Sequence, residues 1–275
     1  MNMWREFIMF EIFGQGFLMR GFVVGLVISI SAALIGTALV LRRNAMIGDG
    51  LSHVGFGAFA VATVLNFAPL EFAMPIVIIM SFLILRLNSQ NKIQPDAAIA
   101  MVSAGALALG TFVISITRGV NTDINNYLFG SILSISEGDM MISLFFSILV
   151  IGIFIGCYNK IFALTFDEDF AKSIGIKTNL YNAIFAVLCS VVVVLGMRLM
   201  GSLLISSLII FPTMSAMQLV KTFKKVILIS VLVSVVCFMI GMWASYSLST
   251  PTGSTIVLVN LAVFILVRLV RWVQK

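Results

Sequence analysis

The sequence predicts an all-α, polytopic transmembrane bundle of eight to nine membrane segments, one of them a candidate re-entrant element. Of its 275 residues, 61% are hydrophobic and only 10% are charged, whereas about a quarter of a soluble domain is charged. The mean hydropathy is +1.15. Apolar runs of about 20 residues succeed one another with short polar breaks, the length an α-helix needs to cross hydrocarbon. The net charge of +6 is no nucleic-acid footprint, because the basic residues stand at the ends of apolar runs rather than on one face.

Taken in order, residues 1–15 carry Trp4, Phe7, Phe10 and Phe13, a candidate interfacial amphipathic helix. Arg5, Glu6 and Glu11 leave no uncharged signal-peptide core there. Spans follow at about 17–41, 45–66, 70–87, 97–117, 139–159, 180–197, 201–219, 225–247 and 254–272. Segment 201–219 reads either as a full span or as a re-entrant pair. Pro212 interrupts it, and proline frees a carbonyl that needs a partner at membrane depth. Residues 1–275 form a single domain whose one informative polar loop is 163–179.

Orientation follows from Lys and Arg. Arg42 and Arg43 follow the first span, and Arg86 and Lys92 the third. Lys160, Lys172 and Lys177 flank the loop after the fifth. Lys221, Lys224 and Lys225 follow the seventh, and Arg268, Arg271 and Lys275 close the chain. Nine crossings put all five clusters on one side, leaving Arg118 and Arg198 opposite. That side is the cytoplasm, so the N-terminus lies outside and the C-terminus inside.

Small-xxx-small pairs allow close helix contact in lipid: Gly21 and Gly25, Ala32 and Gly36, Ala104 and Ala108, Gly152 and Gly156. Cys157, Cys189 and Cys237 lack zinc-cluster or disulfide spacing and read as structural thiols. Asp96 after Pro95 reads as the start of the fourth span, and Glu71 and Asp123 as solvated outer charges. Arg198 is expected to snorkel at an outer helix end. Met197, Met200, Met214 and Met217 read as core filling, with thioether ligation near Pro212 the alternative.

The chemistry concentrates in LRRNAMIGDGLSHVGFGAFAVA, residues 41–62, which holds the only histidine of the chain. His53 stands one helical turn after Asp49, so carboxylate and imidazole share a face. If the second span starts near Asn44, both lie in the inner half of the membrane, where ionisable groups are costly and usually mark an ion route. Spacing alone leaves a second reading equally open, in which the two merely satisfy each other as buried polar groups.

The stretch GFLMRGFVVG…GTALVLRRNAMIGDGLSHVGFGAFAVA resembles the permease subunit of bacterial zinc, manganese and iron ABC importers. Three later stretches agree in order: NTDINNYLFGSILSIS (121–136), RLMGSLLISSLIIFPTMSAM (198–217) and YSLSTPTGSTIVLVNLAVFIL (246–266). The likeness runs from about residue 16 to 270. Gly55-Phe56-Gly57 replaces the family's usual LPG, and Thr213-Met214-Ser215-Ala216 stands where alanines are usual. The further histidines of some zinc-type members are missing, which leaves oxygen or sulfur for any additional ligands.

The resemblance implies that Asp49 and His53 hold a divalent metal in transit. No cofactor is expected to stay bound; Zn2+ or Mn2+ is the cargo. Carboxylate plus neutral imidazole suits either ion, and the Irving–Williams order favours zinc. The YLFG and MGSLLISSLIIFP segments also look closer to zinc-type members. Two ligands fall short of a structural cage and suit a transient stop.

In ALTFDEDFAKSIGIKTN, residues 163–179, acidic residues before an apolar turn and a following glycine predict a short helix at about 168–174. It is either a plain connector or a docking element. The resemblance implies the second: Asp169, Ala171 and Gly175 look like the coupling-helix pattern, with Phe170 and Ile174 as apolar anchors for a groove on the ATP-binding subunit. The chain has no GxxxxGK[ST] phosphate loop, so hydrolysis is expected of that partner and delivery of an extracytoplasmic metal-binding protein. A homodimer around a central pathway, in a bacterial cell membrane and without nucleic acid, completes the expectation. The alternatives are an ion-coupled secondary carrier using Asp49 and His53 as a proton relay, and a permease for a chelate such as cobalamin or a siderophore.

Overall fold

The computed structural model describes residues 16–89, 95–117, 130 and 136–273. The candidate interfacial helix at 1–15 and most of the 121–136 segment, with Asp123, therefore lie outside the described residues. Among the described residues eleven helices follow in order: α1 Gly16–Leu41, α2 Met46–Val64, α3 Pro69–Ser89, α4 Pro95–Ile116, α5 Glu137–Gly156, α6 Tyr158–Phe166, α7 Glu168–Ser173, α8 Thr178–Met200, α9 Ser202–Leu219, α10 Phe223–Leu248 and α11 Thr252–Val273. No strand occurs among the described residues. Among the described residues, eight helices are long and apolar enough to cross a membrane, and the apolar part of α3, Pro69–Ile84, is shorter. The expected eight to nine segments are thus present.

The helices form an inner set, chiefly α1, α2 and α8, and an outer set of α4, α5 and α11 that stays largely uncovered within one chain. Small residues let the inner set pack backbone to backbone. A Cβ on Gly36 would lie 2.2 Å from the Ile209 carbonyl oxygen, and one on Gly57 would lie 2.7 Å from that of Ala106. Hence α1 meets α9, and α2 meets α4, at a distance no side chain permits. Two expected packing pairs behave otherwise. A Cβ on Gly152 or Gly156 would meet nothing within 4 Å, and Ala104 and Ala108 are exposed. Hydroxyls tie the inner helices further: Ser234 Oγ donates to the Ser29 carbonyl at 2.9 Å, and Thr37 and Thr213 hydroxyls lie 3.4 Å apart.

Segment 201–219 is a single helix, not a re-entrant pair, and Pro212 does not break it. Proline removes one donor and crowds the carbonyl four residues earlier, yet the helix runs on through it, with α1, α10 and α11 packed around α9. The break lies instead at Gly201, the one residue between α8 and α9, with φ +86° and ψ 159°. That region belongs to glycine, because any Cβ would be strained there. Gly130 packs directly on this turn; a Cβ on it would lie 2.2 Å from the Met200 carbonyl carbon.

Arg198 does not snorkel. Its Nη2 faces Asp139 Oδ2 at 3.7 Å, and Asp139 also forms a capping box with Ser136 at the start of α5. The carboxylate at the start of α5 gives the guanidinium a charged partner, with both side chains only partly exposed. Arg20 pairs with Glu137 beside it, so two ion pairs join α1 and α8 to the first turn of α5. Asp96, following Pro95, lies in the first turn of α4 as expected.

Candidate metal site and coupling helix

Helix α2 is flanked by α3, α4, α8 and α9, and nearly all of its first four turns are buried. Gly48 and Gly50 make this possible, since Cβ atoms there would strike Ile209 at 2.8 Å and Ile99 at 2.5 Å. Asp49 and His53 depart from this pattern. Their side chains are 38% and 27% exposed, so both sit at an opening in an otherwise covered helix.

His53 Nε2 lies 3.7 Å from Asp49 Oδ2. That is too long for a hydrogen bond, yet close to the ~3.3 Å edge between ligands of a tetrahedral ion bound at about 2.0–2.1 Å. Ser206 Oγ on α9 donates to the other carboxylate oxygen, Asp49 Oδ1, at 2.9 Å. This bond holds the carboxylate so that Oδ2 is left for the imidazole. His53 Nδ1 is buried without a hydrogen-bond partner. Ser206 escaped the sequence reading because nothing in the sequence tells it apart from Ser202 and Ser207 of the same apolar helix. Among the described residues no group of three or more His, Cys, Asp or Glu gathers that could hold a metal ion. One chain therefore brings together one imidazole and one carboxylate, the latter oriented by Ser206.

Helical spacing aligns Leu203, Ser206, Ile210, Met214 and Met217 on one face of α9. Met197 and Met200 are core residues as expected, at 1% exposure each, but Met214 and Met217 are exposed. The latter two share the partly open face with Ser206, which follows from the 3.6-residue period once the buried side of α9 is known.

The short helix expected at about 168–174 exists as α7, with one residue less at its end. Asp167 is its cap, accepting from the Phe170 amide at 2.9 Å, a bond that satisfies one orphan donor of the first turn. The helix ends in a Schellman motif: Gly175 N donates to the Lys172 carbonyl and Ile176 N to that of Ala171, each at 3.0 Å. Gly175 has φ +82°, which a side chain would disfavour. Ala171 is fully buried, whereas Phe170 and Ile174 are exposed, and Asp169 is almost wholly solvated. Lys172 bridges Glu168 and Asp169 at 3.4 Å each, and these carboxylates raise its pKa, Glu168 foremost. Helix α6 before it was not foreseen. Its Phe162 and Phe166 meet Phe223 of α10 tilted and edge-on, with ring centres 5.2 and 5.9 Å apart.

The family model described as the ABC 3 transport family matches residues 15–271. The chain belongs to the ABC 3 transport family. As a member of that family it shares its fold with the solved chain titled "PsaBC from Streptococcus pneumoniae in complex with Fab", at a TM-score of 0.84 and 27% identity, covering 96% of this chain and 94% of that one. The manganese import system permease protein ScaB of Streptococcus gordonii is 29% identical over 90% of this chain and 89% of its own. The high-affinity zinc uptake system membrane protein ZnuB of Haemophilus influenzae is 26% identical over 94% and 97%. The likeness read from residues 16 to 270 to metal-importer permeases is thus borne out, and the family is one of transport.

Proposed function

We propose that this chain is the permease half of an ATP-driven importer that carries zinc, or next in preference manganese, into the bacterial cytoplasm. The observation that carries the reading is the Asp49–His53 pair, oriented by Ser206, at a polar opening near the start of α2. Left facing acyl chains, such a pair would cost a few kcal/mol. Covered by a second copy of the chain, it would line a route between protomers, where the ion meets few ligands and is released again. The cargoes of ScaB and ZnuB support a divalent transition metal. Imidazole with carboxylate, ranked by Irving–Williams order, favours zinc. Exposed Phe170 and Ile174 on α7 suit a groove on an ATP-binding subunit, and an extracytoplasmic binding protein would deliver the ion. The membrane is that of the cell, with the N-terminus outside and the C-terminus in the cytoplasm.

Uptake of radiolabelled zinc and manganese by cells expressing His53→Ala tests the reading. The variant should insert at wild-type levels and lose uptake. Unimpaired uptake would remove His53 from the pathway.

A further inference from the structure

Arg42 follows α1 directly, seven residues before Asp49, and its side chain leaves the α1–α2 turn to enter its neighbours. Nη1 donates to Asn182 Oδ1 on α8 at 3.1 Å, and Nε points at Thr165 Oγ1 on α6 at 3.4 Å. The guanidinium carbon lies 4.8 Å from the centre of the Phe185 ring, within cation–π range. Nη2 is buried without a hydrogen-bond partner. Beside it a cavity of about 20 Å3, lined among others by Asn44, Ser81 and Cys189, is large enough for one water. Burial pulls the Arg42 pKa down to about 10, partly opposed by Glu168, the first residue of α7.

A packing role alone does not account for this residue. Burying a charge costs several kcal/mol, and an apolar side chain would fill the same space without that penalty. The partners of Arg42 instead point to the coupling loop. Thr165 stands two residues before the α7 cap, Asp167, and Glu168 opens α7 itself. On its other side Arg42 is continuous with a tight turn. Arg43 sits at φ +59°, with Arg43 N bonded to the Val40 carbonyl at 3.0 Å and Asn44 N to that of Leu39 at 2.9 Å. This is a Schellman pattern built on a non-glycine residue, so the surrounding structure over-determines it. Such a turn passes a displacement on to α2 rather than absorbing it.

We propose that Arg42 is the positioning residue that joins the coupling loop to the α1–α2 turn, so that movement of α7 reaches Asp49 and His53 through one guanidinium. This rests on the reading of α7 as the surface met by an ATP-binding subunit. The fork binds α6 and α8 on one side while its backbone fixes the start of α2 on the other. Lysine, a point charge, would keep the cation but lose the fork.

The test uses the complete transporter, permease with its ATP-binding subunit, reconstituted in vesicles with zinc as the probe. In Arg42→Gln, ATP hydrolysis should continue near the wild-type rate while zinc imported per ATP falls about tenfold, a size typical of altered coupling. Equilibrium zinc binding by the solubilised variant should be unchanged, and Arg42→Lys should restore little. Normal import per ATP in Arg42→Gln overturns the proposal. So does a parallel loss of zinc binding and hydrolysis, which would mean a role in folding alone. Should Arg42→Gln fail to insert, Asn182→Ala and Thr165→Val carry the same test: a reduced ratio supports the proposal and an unchanged ratio defeats it. A wild-type complex without ATP-driven zinc or manganese import would instead strike the reading of the chain as an ATP-driven importer.

Discussion

Ser206 Oγ and Asp49 Oδ1 lie 2.9 Å apart across the α2–α9 contact, and the bond decides which carboxylate oxygen His53 sees. Partners that orient a ligand contribute about 10–100-fold in metal affinity. Ser206→Ala should therefore weaken zinc binding by about tenfold with little change in thermal stability. Equilibrium dialysis of the solubilised protein reads this directly, and an unaltered affinity would reduce Ser206 to packing.

Asp49→Asn keeps an oxygen that accepts from Ser206 and removes only the charge. The variant should fold and insert normally yet fail to support uptake, because a neutral amide offsets little of the cation's charge. Cell-associated zinc and manganese, measured by mass spectrometry, distinguish the variant from wild type.

Phe170 is exposed at 57% and Ala171 is fully buried, so neighbouring positions of α7 separate docking from folding. Phe170→Ala should leave the melting temperature in place and weaken capture of the ATP-binding subunit by about 2 kcal/mol, as loss of an apolar anchor does. Gly175→Val should destabilise the loop by about 1–2 kcal/mol, because its left-handed backbone disfavours a branched side chain. Wild-type capture by Phe170→Ala would separate α7 from the motor.

Glycines that look alike in sequence should respond oppositely to alanine. At Gly36 the added carbon meets the Ile209 backbone at 2.2 Å, so α1 and α9 must separate, at about 1–3 kcal/mol. At Gly152 it meets nothing within 4 Å, and the higher helix propensity of alanine should be neutral or stabilising by up to about 1 kcal/mol. Thermal melts in detergent compare the two, and equal shifts would contradict the close approach at Gly36.

The helical class and nearly every span could be read from the sequence, because hydrocarbon thickness sets a minimum apolar length for every crossing segment. The last span illustrates this: about 254–272 was expected and Thr252–Val273 is observed. Asp49 and His53 were legible for a local reason, the i,i+4 geometry of a helix. What stayed hidden depends on neighbours distant in the chain. Asp139 as partner of Arg198, Ser206 as partner of Asp49, and the outward aspect of Gly152 and Gly156 all require knowing which helices touch. Pro212 misled because proline in isolation signals a break, whereas the interruption falls at Gly201, where backbone conformation and not ring chemistry ends the helix.

The single-glycine corner at 201 leaves no slack between α8 and α9. Should α8 rock, it has to drag its successor along, and Ser206, five positions past the corner, would be drawn from the carboxylate it steadies. On the proposed transport reading, grip on the cargo and tilt of this hairpin then become one variable.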